Sequence, residues 1–360
     1  MSEWFKLKVD QIEQETPHSR TIKFDVTEEE LHKFQFKPGQ FIGLKMEVNG
    51  QDEERSYSLS SSSIDEGLCI TVKKVEGGKV SAHIVDVLQE GDELLCAPPE
   101  GRFTITADPS KRRKHFFIAA GSGITPIYSL IRYILNFEPK SEVYLLYGNR
   151  TEEDVIFNAQ LQTLEEQFRG QFFVKHVFSA KKPSRWKIFS ISDDEDWTGR
   201  IDSKKLNRWL KKNSDQQTET HYYICGPGNM NLDLYEYLKN KGIPAKQIHV
   251  ESFMTAQEFA AREEGTIEGT FQLEVQLNGE RKEISLTGNK PILEALLDEG
   301  LPAPHSCTSG ACASCMAKVV EGEVAMDVDF ALSDEEKEEG YVLTCQARPV
   351  SYKVSINYDV

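Results

Sequence analysis

No stretch of this 360-residue chain approaches the eighteen or so consecutive apolar residues of a membrane-spanning helix. The start, Met1-Ser2-Glu3-Trp4-Phe5-Lys6-Leu7-Lys8, lacks the uninterrupted apolar core of a secretory signal, so a cytoplasmic chain is expected. Repeats at solenoid periods are missing, and the one low-complexity patch is Ser60 to Ser63. Basic residues are in short supply. Forty-two against 58 acidic ones leave a net charge of −16, a field that repels phosphate backbones and anionic headgroups and makes nucleic acid and membrane surfaces poor partners. The seven cysteines form no disulfide framework, and in a reducing compartment clustered cysteines hold metal or do redox work. With 39% hydrophobic residues, 24 Gly and 14 Pro, neither a disordered chain nor a fibrous repeat fits.

What is present divides the chain. Up to about Thr106, short β-rich runs such as Thr21 to Val26 and Leu68 to Val72 are punctuated by Lys37-Pro38-Gly39 and Glu76-Gly77-Gly78, which predicts a small antiparallel barrel or sandwich. Lys114 to Ala120 then reads as a buried strand and Pro126 to Asn136 as a helix. The strand Val143 to Tyr147, the strand Tyr222 to Cys225 and the helix Asn231 to Lys241 continue an alternation that predicts a covered parallel sheet. The last unit reads as strands over Phe271 to Leu277 and Arg281 to Leu286, a helix over Pro291 to Glu299, and a cysteine loop. The expected division is an antiparallel β-barrel (residues 1–107), an α/β parallel-sheet domain (108–253), a linker (254–269) and a small α+β domain (270–360).

Four cysteines carry the strongest signal. Cys307, Cys312 and Cys315 stand as C-x4-C-x2-C, and Cys345 follows after 29 residues, the plant-type [2Fe-2S] spacing. Ser309, Gly310, Ala311, Ala313 and Ser314 are small enough for the loop to wrap a cluster closely and aim backbone N–H groups at sulfur. The alternative is a four-cysteine zinc site, although zinc ribbons present two C-x2-C knuckles and this chain has one. Cys69 and Cys96 lie in strand contexts where inert buried thiols are common.

Phe36-Lys37-Pro38-Gly39-Gln40-Phe41 and Arg55-Ser56-Tyr57-Ser58, followed by Gly78-Lys79-Val80-Ser81, resemble the flavin-domain signatures of the ferredoxin–NADP reductase superfamily. A guanidinium suits a pyrophosphate, a tyrosine ring an isoalloxazine face, and a serine hydroxyl the flavin N5 region. Gly121-Ser122-Gly123-Ile124-Thr125-Pro126 follows a strand and opens a helix, where a dinucleotide pyrophosphate is received. Cys225-Gly226-Pro227-Gly228 and Tyr147-Gly148-Asn149-Arg150 match further segments of that superfamily. The resemblance implies FAD at Arg55, Ser56, Tyr57, Ser58, Gly78, Lys79, Val80 and Ser81. It implies the nicotinamide cofactor at Gly121, Gly123, Thr125, Pro126, Asn149, Arg150, Ser179, Cys225, Gly226 and Pro227. By the same match Ser58, Cys225 and Glu251 line the hydride path, and Phe253 packs near the flavin ring. One position departs: NADP-specific relatives carry arginine after the serine, where this chain has Ala180. Lys181, Lys182 and Arg185 are near enough to substitute, which favours NADPH over NADH.

With a β-grasp-like, plant-type ferredoxin domain at its C-terminal end, the chain resembles reductase components of the phenylacetyl-CoA epoxidase type, which feed electrons to oxygenases. That implies hydride transfer from NADPH or NADH to FAD, single-electron steps to a [2Fe-2S] cluster at Cys307, Cys312, Cys315 and Cys345, and an oxygenase partner. From Glu268 onward 17 acidic and 7 basic residues give a net −10, so the partner is expected on the ferredoxin domain. The alternatives are the same role toward a fatty-acyl desaturase or ring-hydroxylating oxygenase, and a non-catalytic zinc-binding adaptor.

Overall fold

Alternation of buried and solvent-facing residues along β1 (Phe5–Thr16) and β2 (Ser19–Asp25) puts Leu7, Val9, Ile22 and Phe24 on one face, as a period of two requires. In the computed structural model, which describes residues 3–65, 67–180, 197–215, 217–253, 269–287 and 290–360, these strands join four others. They are β3 (Phe41–Val48), β4 (Gln51–Ser58), β5 (Leu68–Lys73) and β6 (Glu93–Cys96), in the antiparallel order β4-β3-β6-β1-β2-β5. A helix, α1 (Lys79–Asp86), buries Val80, Ile84 and Val85 in the same core. The sequence marks Glu76-Gly77-Gly78 as a turn and shows no helix after it. The structure instead begins a helix at Lys79, because those three apolar positions repeat at helical spacing and can be buried only that way.

The second sheet consists of β7 (Lys114–Ala120), β8 (Glu142–Asn149), β9 (Phe172–Phe178), β10 (Thr220–Gly226) and β11 (Ile248–Ser252), ordered β11-β10-β7-β8-β9. The registers of β7 with β8, β8 with β9 and β10 with β7 are parallel. Its strands are buried on both faces and read as near-continuous apolar runs. Helices α2 (Ile124–Phe137), α3 (Asn158–Gln167), α4 (Ser203–Asn213) and α5 (Gly228–Asn240) connect or follow the strands. Helix α2 starts two residues before the expected Pro126, which leaves that proline in the first turn, where a missing N–H goes unnoticed. Rings stack across neighbouring strands, Tyr222 on Phe116 (5.7 Å), Phe116 on Tyr144 (4.8 Å) and Tyr144 on Phe173 (5.0 Å).

Near the amino end of β7, Glu138 is fully buried. It pairs with Arg113, accepts from Ser141 Oγ (2.7 Å) and the Asp108 N–H (2.9 Å), and lies 3.1 Å from His115 Nε2. Burial holds His115 well below the usual imidazole range and lowers His249 to about 4.

The chain divides within β11 into a unit running to His249 and a unit Val250–Val360. In the second, β12 (Thr270–Leu277) and β13 (Glu280–Thr287) form a hairpin, and α6 (Ile292–Asp298) buries Ile292, Leu293, Ala295 and Leu296. Next come β14 (Met316–Glu321), β15 (Val324–Met326), α7 (Asp334–Glu338), β16 (Tyr341–Leu343), β17 (Ala347–Pro349) and β18 (Lys353–Asn357). The main sheet is ordered β13-β12-β18-β14-β16, with β18 parallel to β12 and antiparallel to β14. Strands β15 and β17 make a separate pair. Most of the expected linker, residues 254–268, lies outside the described residues.

Candidate cofactor sites

Register with β3 delivers the flavin motif at the end of β4: Leu44 faces Arg55, Gly43 faces Ser56, Ile42 faces Tyr57 and Phe41 faces Ser58. Period two sends Arg55 and Tyr57 to one face and Ser56 and Ser58 to the other. Ser58 is buried, while Arg55 and Ser56 are exposed. Burial pushes the Tyr57 phenol up to about 12, so it stays neutral at working pH. The two halves of the motif meet through a residue that sequence reasoning missed. Glu53 pairs with Lys79 Nζ at 2.9 Å and with Arg55 Nη2 at 3.1 Å, which holds its carboxyl below the usual range. Both cations are about half exposed, which leaves them able to turn to a pyrophosphate. Gly78 caps α1 in extended conformation. A β-carbon there would come within 2.7 Å of Ser81 Oγ, whose oxygen accepts from the Val75 N–H at 3.1 Å.

The nicotinamide motif occupies the carboxyl ends of β7 and β10. A single 3-10 turn, Gly121–Gly123, leads into α2, with Gly121 at φ +55°. A β-carbon on Gly123 would stand 2.1 Å from the Cys225 carbonyl oxygen, so only glycine lets the two turns meet. Asn231 Nδ2 donates to the Gly226 carbonyl at 3.1 Å, and Pro227 caps α5. From β7 the chain runs to β8 and β9 on one side and then to β10 and β11 on the other, so this junction is the switch point where open α/β sheets bind ligands. Thr125 Oγ1 donates to the Ser122 carbonyl at 3.0 Å. Buried Asn149 ends β8 and exposed Arg150 follows it, and their carbonyls accept from the Ser179 and Ala180 N–H groups at 2.9 Å. Lys181, Lys182 and Arg185 lie outside the described residues.

Further contacts join the surroundings of the flavin strand to those of the nicotinamide turn. The loop after Ser58 receives α2: Ser129 Oγ donates to the Ser61 carbonyl at 2.5 Å, and Arg132 pairs through both Nη atoms with Asp65. Ser129 and Arg132 are three apart and share a helix face. The Lys73 ammonium, from β5, lies 3.9 Å from where a β-carbon on Gly121 would sit. It is therefore placed to meet a phosphate on that turn, and nothing in its own stretch of sequence marks it. Glu251 is buried at the end of β11, and Phe253 is 45% exposed.

In the second unit the four motif thiols stand as two hydrogen-bonded pairs, Cys307 with Cys312 and Cys315 with Cys345. Within each pair the acceptor, Cys312 or Cys315, titrates below the usual thiol range, because its partner's hydrogen bond favours the thiolate. The Ser309 and Ser314 N–H groups donate to Cys307 and Cys312 sulfurs at 3.4 Å. Among the described residues no three His, Cys, Asp or Glu side chains gather as a single ion would need. Two cysteine pairs, each with a sulfur poised to ionise and with backbone donors beside the first pair, fit two bridged irons. Glycine is required at 310, where φ is +75° and a β-carbon would lie 2.7 Å from Val328 Cγ2.

Comparison with known proteins gives this geometry a family. Three family models match consecutive parts of the chain: an oxidoreductase FAD-binding domain over residues 6–105, an oxidoreductase NAD-binding domain over 117–234 and a 2Fe-2S iron-sulfur cluster binding domain over 275–350. One of the subunits of 1,2-phenylacetyl-CoA epoxidase from Escherichia coli strain K12 is 32% identical over 360 residues, spanning 100% of this chain and 99% of its own. The chain belongs to the family of FAD and [2Fe-2S] reductase components of oxygenases. Another member, the ferredoxin reductase component of 3-ketosteroid-9-alpha-monooxygenase from Rhodococcus rhodochrous, is 30% identical over 98% of this chain and 96% of its own. The solved phthalate dioxygenase reductase shares the fold, with a TM-score of 0.58 and 24% identity over 98% of both chains. This reductase is thus an NAD(P)H-dependent oxidoreductase that carries FAD and a [2Fe-2S] cluster for electron transfer. No helix among its described residues is long and apolar enough to cross a membrane.

Proposed function

We propose that this reductase supplies the oxygenase component of a phenylacetyl-CoA epoxidase in the cytoplasm, with its flavin domain over residues 1–107, nicotinamide domain over 108–253 and ferredoxin domain over 270–360. A bound flavin takes two electrons as hydride and gives them up singly, which is what a one-electron cluster requires. Arg55, Lys79 and the start of α1 hold the flavin phosphates, Tyr57 covers the ring, and Ser56 and Ser58 bond its edge. The turns Gly121–Gly123 and Cys225–Pro227 receive the nicotinamide, steadied by Thr125, Pro126, Asn149 and Arg150. Ser58, Cys225 and Glu251 line the transfer path, Phe253 packs against the flavin, and Cys307, Cys312, Cys315 and Cys345 ligate the irons. The observation that carries the reading is the docking of Gly123 on the Cys225 carbonyl, in the same unit as the Arg55 to Ser58 strand. Anaerobic mixing with NADPH should bleach the flavin first and the cluster second, and then reduce the purified oxygenase. Flavin bleaching with no cluster reduction would refute the order of carriers.

The ferredoxin domain's acidic side chains support docking on a basic oxygenase face. Helix α7, closed by a Ser333–Glu336 capping box, exposes Asp334, Glu335 and Glu338. Steering of this kind weakens as the Debye length falls from about 10 Å at 0.1 M to about 3 Å at 1 M salt. Delivery to the oxygenase should therefore slow with salt while flavin reduction changes little; equal slowing of both would rule steering out. Lys181, Lys182 and Arg185 favour NADPH. A kcat/KM preference for NADH of about tenfold, or 1.4 kcal/mol, would favour the second reading, which rests on Ala180 at the place of the usual arginine.

A further inference from the structure

Third from the end of the chain, a tyrosine reaches back toward one of the thiol pairs. Tyr358 OH donates to Thr344 Oγ1 at 2.7 Å. Thr344 Oγ1, fully buried, donates in turn to the Cys315 carbonyl at 2.9 Å, and the Thr344 N–H reaches the same oxygen at 3.2 Å. Thr344 immediately precedes Cys345, so this relay ends on the backbone of one member of that thiol pair and starts from the residue next to the other.

The phenol is held in place from several sides. The Tyr358 N–H donates to the Gln276 carbonyl at 2.9 Å, extending the pairing of β18 with β12. The next residue, Asp359, accepts from the Asn278 and Gly279 N–H groups at 2.7 and 2.8 Å, so it fastens this segment to the β12–β13 turn. The ring packs against the core that contains Cys315, Leu343 and Cys345. None of these contacts requires a hydroxyl. Phenylalanine would fill the same place, and what the oxygen adds is the donor.

We propose that Tyr358 is a positioning residue for the iron-sulfur cluster, raising its reduction potential through the relay from Tyr358 to Thr344 to the Cys315 carbonyl. The inference rests on the four-cysteine reading of the cluster. Reduction adds one negative charge, and hydrogen bonds around the ligands are among the levers that set such potentials. In a low-dielectric interior, bonds in a chain polarise one another, so a donor two bonds away strengthens the bond that reaches the ligand. Donation to the Cys315 carbonyl offsets the negative end of that dipole beside the ligating residue, which favours the reduced state because it carries the extra negative charge.

The test is an anaerobic redox titration of the full-length holoprotein, followed by the electron-paramagnetic resonance of the reduced cluster. Tyr358→Phe should keep its iron and sulfide and move the midpoint to more negative potential. The expected change is about two- to tenfold in the one-electron equilibrium, tenfold being about 59 mV. In a Thr344→Val background, where the relay is already cut, the same substitution should move the midpoint by less than half as much. An unchanged midpoint in Tyr358→Phe, or an equal shift in both backgrounds, overturns the proposal. Should the phenylalanine variant fail to hold its cluster, 3-fluorotyrosine at position 358 keeps the bond and strengthens the donor. It should move the midpoint positive, and no movement overturns the proposal equally. A wild-type protein with no reduced-cluster signal would instead refute the ligand reading, a result distinct from a signal whose midpoint ignores Tyr358.

Discussion

In the ferredoxin unit the chemistry sits on side chains that are close in sequence, three of the four cysteines falling between residues 307 and 315. In the nicotinamide sheet it sits on backbone groups about a hundred residues apart, Gly123 against Cys225. The first kind of site fails when an atom is removed and the second when an atom is added. Both use backbone N–H groups toward negative charge, yet only the first leaves a spacing that can be read from the chain.

The sharpest contrast is between deletion and addition. Cys345→Ser should lose the cluster altogether, with iron and acid-labile sulfide near zero, while FAD content and reduction of the flavin by NADPH stay close to wild type. Gly123→Ala should do the reverse. Its new methyl would sit 2.1 Å from the Cys225 oxygen, and the backbone must shift to admit it. A displacement of roughly 1 Å near a reacting centre costs about 100-fold, so kcat/KM for the nicotinamide should fall by that order while the cluster remains. If Gly123→Ala reduces its flavin at the wild-type rate, the backbone account of the site is wrong.

Acid should separate the two units further. His249 is held down to about 4 by burial, against about 6.5 in an unfolded chain. Above the unfolded value both states are neutral. As pH falls below it, the unfolded chain takes up a proton the folded one refuses, so stability is lost and continues to fall toward the folded value. Between pH 7 and 5 this amounts to about 2 kcal/mol from His249, and buried His115 adds in the same direction. The ferredoxin unit has one histidine, His305, and it is exposed. Flavin release, followed by fluorescence during thermal melts, should therefore move to lower temperature over this range; a pH-independent melt would contradict the buried neutral imidazoles.

The smallest effect concerns the Arg132–Asp65 pair, which joins helix α2 to the loop behind the flavin strand. Arg132→Ala should slow hydride transfer by about tenfold, or 1.4 kcal/mol, with full FAD content and partial recovery in Arg132→Lys. Loss of FAD together with rate would make the pair a stability element instead.

Legibility in the sequence followed the same line. The strands Leu68 to Val72 and Phe271 to Leu277, the helix near Pro291 to Glu299 and the cysteine spacing were readable because each is a local pattern. The start of α1 was not, since eight residues hold barely two turns of periodicity and Gly77-Gly78 reads as a turn. Glu53 and Lys73 escaped for another reason. Each matters through a partner from a different element, Lys79 for one and the Gly121 turn for the other, and such meetings exist only after the sheets form. The fully buried Glu138 looked like any surface glutamate until Arg113, Ser141 and the Asp108 N–H closed around it.

The place of β18 bears on how the protein is made. The strand of this sheet that is synthesised last lies in its middle, between β12 and β14. At about 5–20 residues per second, Cys315 is joined to the growing chain several seconds before Asn357 completes that strand. Until then Cys315 lacks Val354 and Ile356, which complete the core it shares with Cys345. Iron and sulfide can be sealed in only after β18 has left the ribosome, and a chain stopped before Lys353 would lose that strand along with Tyr358. Closure of this unit thus waits on a strand made after all four cysteines, and a ferredoxin unit that has shut is a chain that was read at least as far as Asn357.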